Sequence, residues 1–213
     1  MSYAKGINSR EQLINLSREI FNNEGLNVTL NNIASSLNIT LGKLTYHFAT
    51  KDKLFLAIAE EYEMKLSEIR SRDRAKTMDL SNLYHTTSLV MDLQYEYRCA
   101  MRYFASSSRK QLDLAAHTSK SFETRKTSIF NLLYAIVAKG ELKITILEEE
   151  KFKVFLFTFT CLLTSWPVNL EIYDESDNYS KIKPIYLKGI FSTFIPYLTP
   201  KGEDTMHNLN LLN

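Results

Sequence analysis

Lys43, Tyr46 and His47 lie within five positions of one another, with Thr45 between them and Thr40 and Leu41 just ahead, in the segment TLNNIASSLNITLGKLTYHF that runs from Thr29 to Phe48. Together these are side chains suited to nucleic acid. A lysine binds phosphate or a guanine edge and a tyrosine hydroxyl donates to phosphate. Histidine or threonine can do either when a helix holds it in the major groove. No single residue of the group is diagnostic, so the argument rests on what spaces them. Counting Leu30 as the first position, Ala34 is fifth, Asn38 ninth and Leu44 fifteenth, and Ile33, Leu37 and Ile39 fill the apolar sites between. The fifth position has to be small where two helices cross. The ninth has to turn the chain at positive φ, which asparagine tolerates at modest cost. The fifteenth has to return an apolar side chain to the core, and Leu44 with Phe48 makes the i, i+4 pair that does so. The spacing predicts a helix-turn-helix whose second helix is N-capped by Thr40 and turns Lys43, Tyr46 and His47 outward. It predicts binding to double-stranded DNA.

These residues and their flanks resemble the DNA-binding domain of the TetR family of bacterial transcriptional regulators, over roughly the first quarter of the chain. Upstream, Arg10, Leu13, Ile14, Leu16, Ile20, Phe21 and Gly25 look like the family's first helix, which closes in Phe-x-x-x-Gly. Downstream, the run from Phe48 to Leu54, FATKDKL, looks like its aromatic, short turn and Ser/Thr-Lys-Asp/Glu at the head of a fourth helix. The resemblance implies DNA contacts at Thr29, Lys43, Tyr46, His47 and Lys51, and Thr40, Leu41 and Thr45 complete the candidate set. The chain departs from the family at two positions: Thr45 stands where a tyrosine is usual, and Leu41 where a polar or basic residue is usual. Tyr46, one position later, is the candidate for the displaced phosphate contact, and Leu41 could touch a thymine methyl.

With 213 residues, 45% of them hydrophobic, the chain can hold one medium domain or a small domain plus a medium one. A net charge of +2 does not by itself declare a nucleic-acid binder. Up to residue 53, however, Lys5, Arg10, Arg18, Lys43, Lys51 and Lys53 outnumber Glu11, Glu19, Glu24 and Asp52. Cys99 and Cys161 lie far apart in apolar surroundings, which reads as two buried free thiols in a reducing cytosol. His47, His85, His117 and His207 have no metal-ligand spacing, so neither a metal nor a cofactor is expected. Ser107-Ser108-Arg109-Lys110 forms an S-x-x-K string without the partner motifs of a serine acyl-enzyme, and no glycine-rich phosphate loop occurs. An enzyme is therefore not expected. The first residues, MSYAKGINSREQ, lack the apolar core of a signal peptide, and the expected location is cytoplasmic. The apolar stretch from Phe152 to Val168 is shorter than the ~20 residues that span a bilayer. It is read as a buried helix and not as a membrane span.

The periodicity is helical almost throughout, and the expected fold class is all α: a three-helix head on a larger helical body. The first helix covers about Arg10 to Asn23 and stops at Gly25. A fourth, N-capped by Thr50 with Asp52 in its first turn, carries the stripe Leu54, Ile58, Tyr62, Leu66, Ile69 to about Arg72, some 20 residues or ~30 Å. Further helices are expected over about Leu80 to Ser106, Lys110 to His117, Lys120 to Lys139, Glu148 to Trp166 and Lys183 to Leu198, with Gly140 and Pro167 as stops. Residues 168–180 are expected to form an acidic loop. The domains expected are a helix-turn-helix head at 1–53, a helical effector-binding and dimerisation domain at 54–199, and a poorly ordered tail at 200–213.

The last two long helices are more apolar than one core-facing stripe requires. The first bears Phe152, Phe155, Leu156, Phe159, Leu162, Leu163 and Trp166, and the second Ile185, Leu187, Ile190, Phe191, Phe194 and Ile195. By resemblance they form a four-helix bundle with a second copy, so a homodimer through the helices at 148–166 and 183–198 is expected, acting on a two-half-site operator. The resemblance also implies a small-molecule effector, for which Tyr95, Arg98, Arg102, Tyr103 and His117 are the candidate residues. The effector would alter DNA affinity through the fourth helix, and repression is the family's usual mode. The alternative is a helical interaction module whose helix-turn-helix meets protein instead of DNA.

Overall fold

The computed structural model of the protein describes residues 10–74, 78–107, 112–173 and 178–212. Ten α-helices run through them: α1 Arg10–Glu24, α2 Leu30–Ser36, α3 Leu41–His47, α4 Lys51–Arg74, α5 Leu80–Glu96, α6 Arg98–Ser107, α7 Leu112–Ala138, α8 Glu149–Tyr173, α9 Tyr179–Phe191 and α10 Pro200–Asn208. Short 3-10 turns occupy Ile144–Leu147 and Ser192–Tyr197. The fold is all α, and the one extended pairing among the described residues is an isolated bridge between Leu142 and Leu198. By internal contacts the chain divides into two compact units, Met1–Ser67 with Leu93–Ser108, and Glu68–Asp92 with Arg109–Asn213.

The first unit takes in more than the three helices of the expected head, because α6 packs on α1. Asn22 of α1 makes this specific: its side-chain amide donates to the Glu96 carbonyl at 2.8 Å, and its side-chain oxygen accepts from the Cys99 amide at 3.0 Å. Those are the backbone groups left open where α5 ends and α6 begins. The single helix expected over Leu80 to Ser106 is thus two, broken at Tyr97, whose ring is fully buried. The break is held by charge. The buried Arg18 guanidinium meets Glu96 at 2.9 Å and lies 4.4 Å from the Tyr97 ring centroid. The Tyr97 hydroxyl donates to Glu61 at 2.7 Å, and Lys65 reaches both Glu61 and Glu96. Burial pushes the Tyr97 phenol up to about 12, against the pull of Lys65. An aromatic column completes the unit, with Phe21 stacked on Phe55 at 4.4 Å and Phe55 on Tyr103 at 4.0 Å.

In the second unit several sequence expectations are corrected. The two pieces expected at 110–117 and 120–139 are one helix, α7, which Gly140 terminates at φ 75°. Pro167 does not end α8, which continues to Tyr173. An internal proline costs ~3 kcal/mol, but Trp166 and Leu170 are buried on either side of it, and each contributes roughly 1.5–3 kcal/mol. The expected acidic loop is correspondingly shorter, and its residues 174–177 lie outside the described residues. The expected last helix begins earlier, at Tyr179, keeps Pro184 inside it, and gives way to the 3-10 turn that contains Pro196. Asp92 of α5 anchors α9, accepting from Lys183 at 2.8 Å and from the Tyr179 hydroxyl at 2.9 Å. The stretch Glu149–Leu170 is long and apolar enough to cross a membrane by length and composition, longer than the segment read from sequence. In the fold its Phe155 and Phe159 pack on Phe194, and its Trp166 stacks on Tyr179. Cys99 is buried as expected, but Cys161 on α8 is exposed, because it lies on the side of that helix away from Phe155 and Phe159.

The tail is the largest correction. Residues expected to be poorly ordered form α10, with Thr199 as N-cap and Pro200 at its first position. Met206 and Leu211 are buried, and the buried Glu141 accepts from Thr205 at 2.9 Å and from the Leu80 amide at 2.8 Å. Gly202 lets α10 approach: a Cβ there would collide with the Glu141 carbonyl oxygen. Gly202→Ala, which would favour an unconstrained helix, should here lower the melting temperature, with a cost of about 1–3 kcal/mol from overpacking. Thermal unfolding followed by circular dichroism reads the sign.

Candidate nucleic-acid interface

The helix-turn-helix is built as its spacing requires. Ala34 is 2% exposed at the crossing of α2 and α3, and Ile33 and Leu44 are fully buried beside it. Asn38 adopts φ 54°, and the chain leaves α2 through paired bonds from the Asn38 amide to Ser35 and from the Ile39 amide to Ala34. This is a Schellman-type exit, with the left-handed position filled by asparagine and an apolar residue following it. Thr40 then caps α3 by accepting from the Lys43 amide at 3.2 Å, and the Phe48 N–H closes it by donating to the Leu44 carbonyl at 2.9 Å. Upstream, Gly25 leaves α1 at φ 87° as expected. Thr50 accepts from the Lys53 amide at 3.2 Å, as its expected capping role requires.

What α3 leaves outside is chemically mixed. Tyr46 is 86% exposed and Leu41 42%, while Lys43, Thr45 and His47 are half-buried along the same helix. The Tyr46 and His47 rings meet edge to face at 5.2 Å. The Thr45 hydroxyl is turned inward, donating to the Leu41 carbonyl at 3.0 Å. That is the ordinary back-bond of a helical threonine, and it fixes the side chain at the position where the family usually carries tyrosine. The Thr29 hydroxyl is likewise committed. It accepts from the Asn32 amide at 3.2 Å and donates to the Asn32 side chain, whose oxygen also takes the Thr29 amide at 3.0 Å. This is a capping box with asparagine in the place of the usual glutamate or glutamine, so the sequence pattern alone did not expose it. Lys51 is also held: its ammonium donates to the Leu26 carbonyl and lies 5.5 Å from the Phe21 ring centroid. Arg10, absent from the sequence-derived set, sits with its guanidinium 5.3 Å from the Phe48 ring at the end of α3.

Three of the candidate effector residues take part in packing contacts within the first unit. Arg98 donates to the carbonyls of Tyr95 at 2.9 Å and Asn22 at 3.4 Å, with its plane over the Tyr95 ring at 4.4 Å. Tyr103 donates to Asp52 and stacks on Phe55. Arg102 is half-buried, and it belongs with the other three to the first unit. Arg98 therefore ties α6 to α1, Tyr103 ties it to α4, and Tyr95 packs against Arg98. The His117 side chain lies outside the described residues.

Asn38→Val should destabilise the chain by ~1–2 kcal/mol, since a β-branched side chain cannot take the left-handed turn, whereas Asn38→Gly should not. Parallel denaturant titrations of the two variants check this.

A family model described as bacterial regulatory proteins, tetR family, matches residues 13–58, and one described as a bacterial transcriptional repressor, TetR, matches residues 61–206. No curated protein matches the sequence significantly. Among solved structures, a TetR-family transcriptional regulator from Marinobacter aquaeolei VT8 shares the fold at a TM-score of 0.83 and 21% identity, covering 95% of this chain and 97% of that one. A TetR-family regulator from a Rhodococcus species is similar at a TM-score of 0.63 and 13% identity, over 89% and 98% of the two chains. A ketosteroid transcriptional regulator of Mycobacterium tuberculosis is similar at a TM-score of 0.60 and 16% identity, over 93% and 100%.

Proposed function

The chain belongs to the TetR family of bacterial regulatory proteins, and on that footing we propose that it is a transcriptional repressor that binds an inverted-repeat operator as a homodimer. The observation that carries the reading is the two-sidedness of α3. Leu44 is fully buried while Tyr46 and Leu41, on other turns of the same seven residues, stand in solvent. A helix this short is held in place by its neighbours, so its outer surface is free to enter a major groove. Lys43 supplies a cation for phosphate or a guanine edge, Tyr46 a hydroxyl for phosphate, His47 a ring nitrogen, and Leu41 a methyl-bearing surface for thymine. Thr40 orients the helix through its cap, and Thr45, with its hydroxyl inward, leaves room for Tyr46 to act.

The homodimer is supported by the second unit. Phe157 of α8 and Ile185 of α9 are each 69% exposed, and Val154 is exposed beside Phe157. The opposite side of both helices is already filled by Phe155, Phe159, Leu187 and Phe191. Two apolar sides on one helix pair need two partners, and a second copy supplies the missing one. An effector bound in the helical body would change DNA affinity reciprocally, through α4, which contributes residues to both units. The proposed setting is the cytoplasm, and catalysis has no part in the reading.

Salt is the test of the DNA contact. Affinity for duplex DNA should fall steeply as salt rises if phosphates are neutralised, whereas a helix-turn-helix that meets protein through apolar surface would show little dependence. Within that assay, Lys43→Ala should weaken binding to all sequences if it meets phosphate and relax specificity at one position if it meets a base. Tyr46→Phe should lower affinity without changing the melting temperature. For the dimer, maleimide labelling gives a direct reading, because Cys161 lies among the exposed residues of α8 and Cys99 is buried, with burial pushing its thiol up to about 11. Cys161 should be protected at concentrations where the dimer forms and react on dilution, while Cys99 stays unreactive in both states.

A further inference from the structure

Glycine inside a helix is less stable than alanine, so a helical glycine that the fold does not require stands out. Three of the described glycines have their reason within the chain: Gly25 and Gly140 take positive φ, and Gly202 lies against the Glu141 carbonyl. Gly42 of α3 and Gly189 of α9 have no such reason. Both are exposed in ordinary helix, and a Cβ on either would meet nothing within 4 Å. Gly42 stands on the helix proposed to enter DNA. Gly189 stands four residues from Ile185, itself 69% exposed, on a helix proposed to meet a second copy of the chain.

Resting on the homodimer reading, we infer that Gly189 marks the point where a helix of the second copy crosses α9 at close range, and that the missing side chain is what admits it. The line through Ile185, Gly189 and Ser192 follows the i, i+4, i+7 spacing of one helix face, and all three residues are exposed. Its profile falls from the bulk of Ile185 to no side chain at Gly189 and a small one at Ser192. The Ser192 hydroxyl donates to the Gly189 carbonyl at 2.7 Å, so covering the line leaves that donor paired. No charge interrupts the line. Other faces of α9 are committed to the chain's own core through Ile182, Leu187, Ile190 and Phe191, all buried. The distance at which two helices pack is set by the side chains at their contact, and glycine permits the closest approach. A second copy carries the same uncharged line, as the self-complementary face of a two-fold contact must.

Gly189→Ala and Gly189→Leu are prepared in the full chain, each checked for the wild-type circular dichroism spectrum, and self-association is measured by sedimentation equilibrium. The dissociation constant of the dimer is expected to rise by about tenfold for alanine, as one methyl group overpacks a close crossing, and further for leucine. In chains diluted until monomeric, Gly189→Ala should unfold at a urea concentration equal to or above that of wild type, because in the separate chain the methyl meets open space. A weaker dimer of an undiminished monomer is the mark of a contact residue and not of a residue needed for folding. A dimer of unchanged or greater strength in both variants would overturn the inference by placing Gly189 outside the contact. A less stable alanine monomer would overturn it by giving the glycine a role in the fold. A wild type that stays monomeric at every concentration would instead overturn the homodimer reading on which the inference rests.

Discussion

The constraint on which the rest of the head depends is the close crossing of α2 and α3 at Ala34. A larger side chain there would drive α3 outward, and with it the exposed Leu41 and Tyr46. Two local devices make the crossing possible. Asn38 accepts a left-handed conformation to reverse the chain in a minimum of residues, and Thr40 restarts a helix at once by capping it. Each is a small local cost met by the burial of Ile33, Leu44 and Phe48. Because α3 is too short to be stable alone, its orientation is a property of this packing and not of the helix.

The same logic extends outward through polar contacts that satisfy backbone groups. Asn22 takes up the open carbonyl and amide at the α5–α6 break, Arg18 spans Glu96 and the Tyr97 ring, and Glu141 joins the start of α5 to α10. In each case a buried or half-buried polar side chain bonds to groups of another helix where a helix begins or ends. α8 shows the apolar counterpart: one side is buried within its own unit and another is left exposed, a division that hydrophobicity along the sequence cannot display because both sides look alike.

What could be read from the sequence follows from the range of the interactions involved. The helix-turn-helix was legible residue by residue, since Ala34, Asn38, Thr40 and Leu44 act over a few positions and each has a distinct steric or capping requirement. Gly25 and Gly140 were legible for the same reason. Pro167 misled because its local cost is real but is outweighed by the burial of Trp166 and Leu170, which no local pattern records. The tail misled because what orders α10, a close approach of Gly202 to Glu141, joins positions some sixty residues apart. The cationic and aromatic residues from Tyr95 to Tyr103 were recognisable as a chemically active group. The partners Asn22, Asp52 and Phe55 lie in other helices, and those partners make Arg98 and Tyr103 fastenings.

The claim that the outer surface of α3 reads DNA is tested most directly by selecting bound duplexes from a random pool with the purified protein, beside a Lys43→Ala/Tyr46→Ala double variant of verified fold. The account predicts enrichment of an inverted repeat by the wild type alone. Enrichment of no sequence, or of the same sequence by both proteins, would contradict it and would favour a helix-turn-helix that meets another protein.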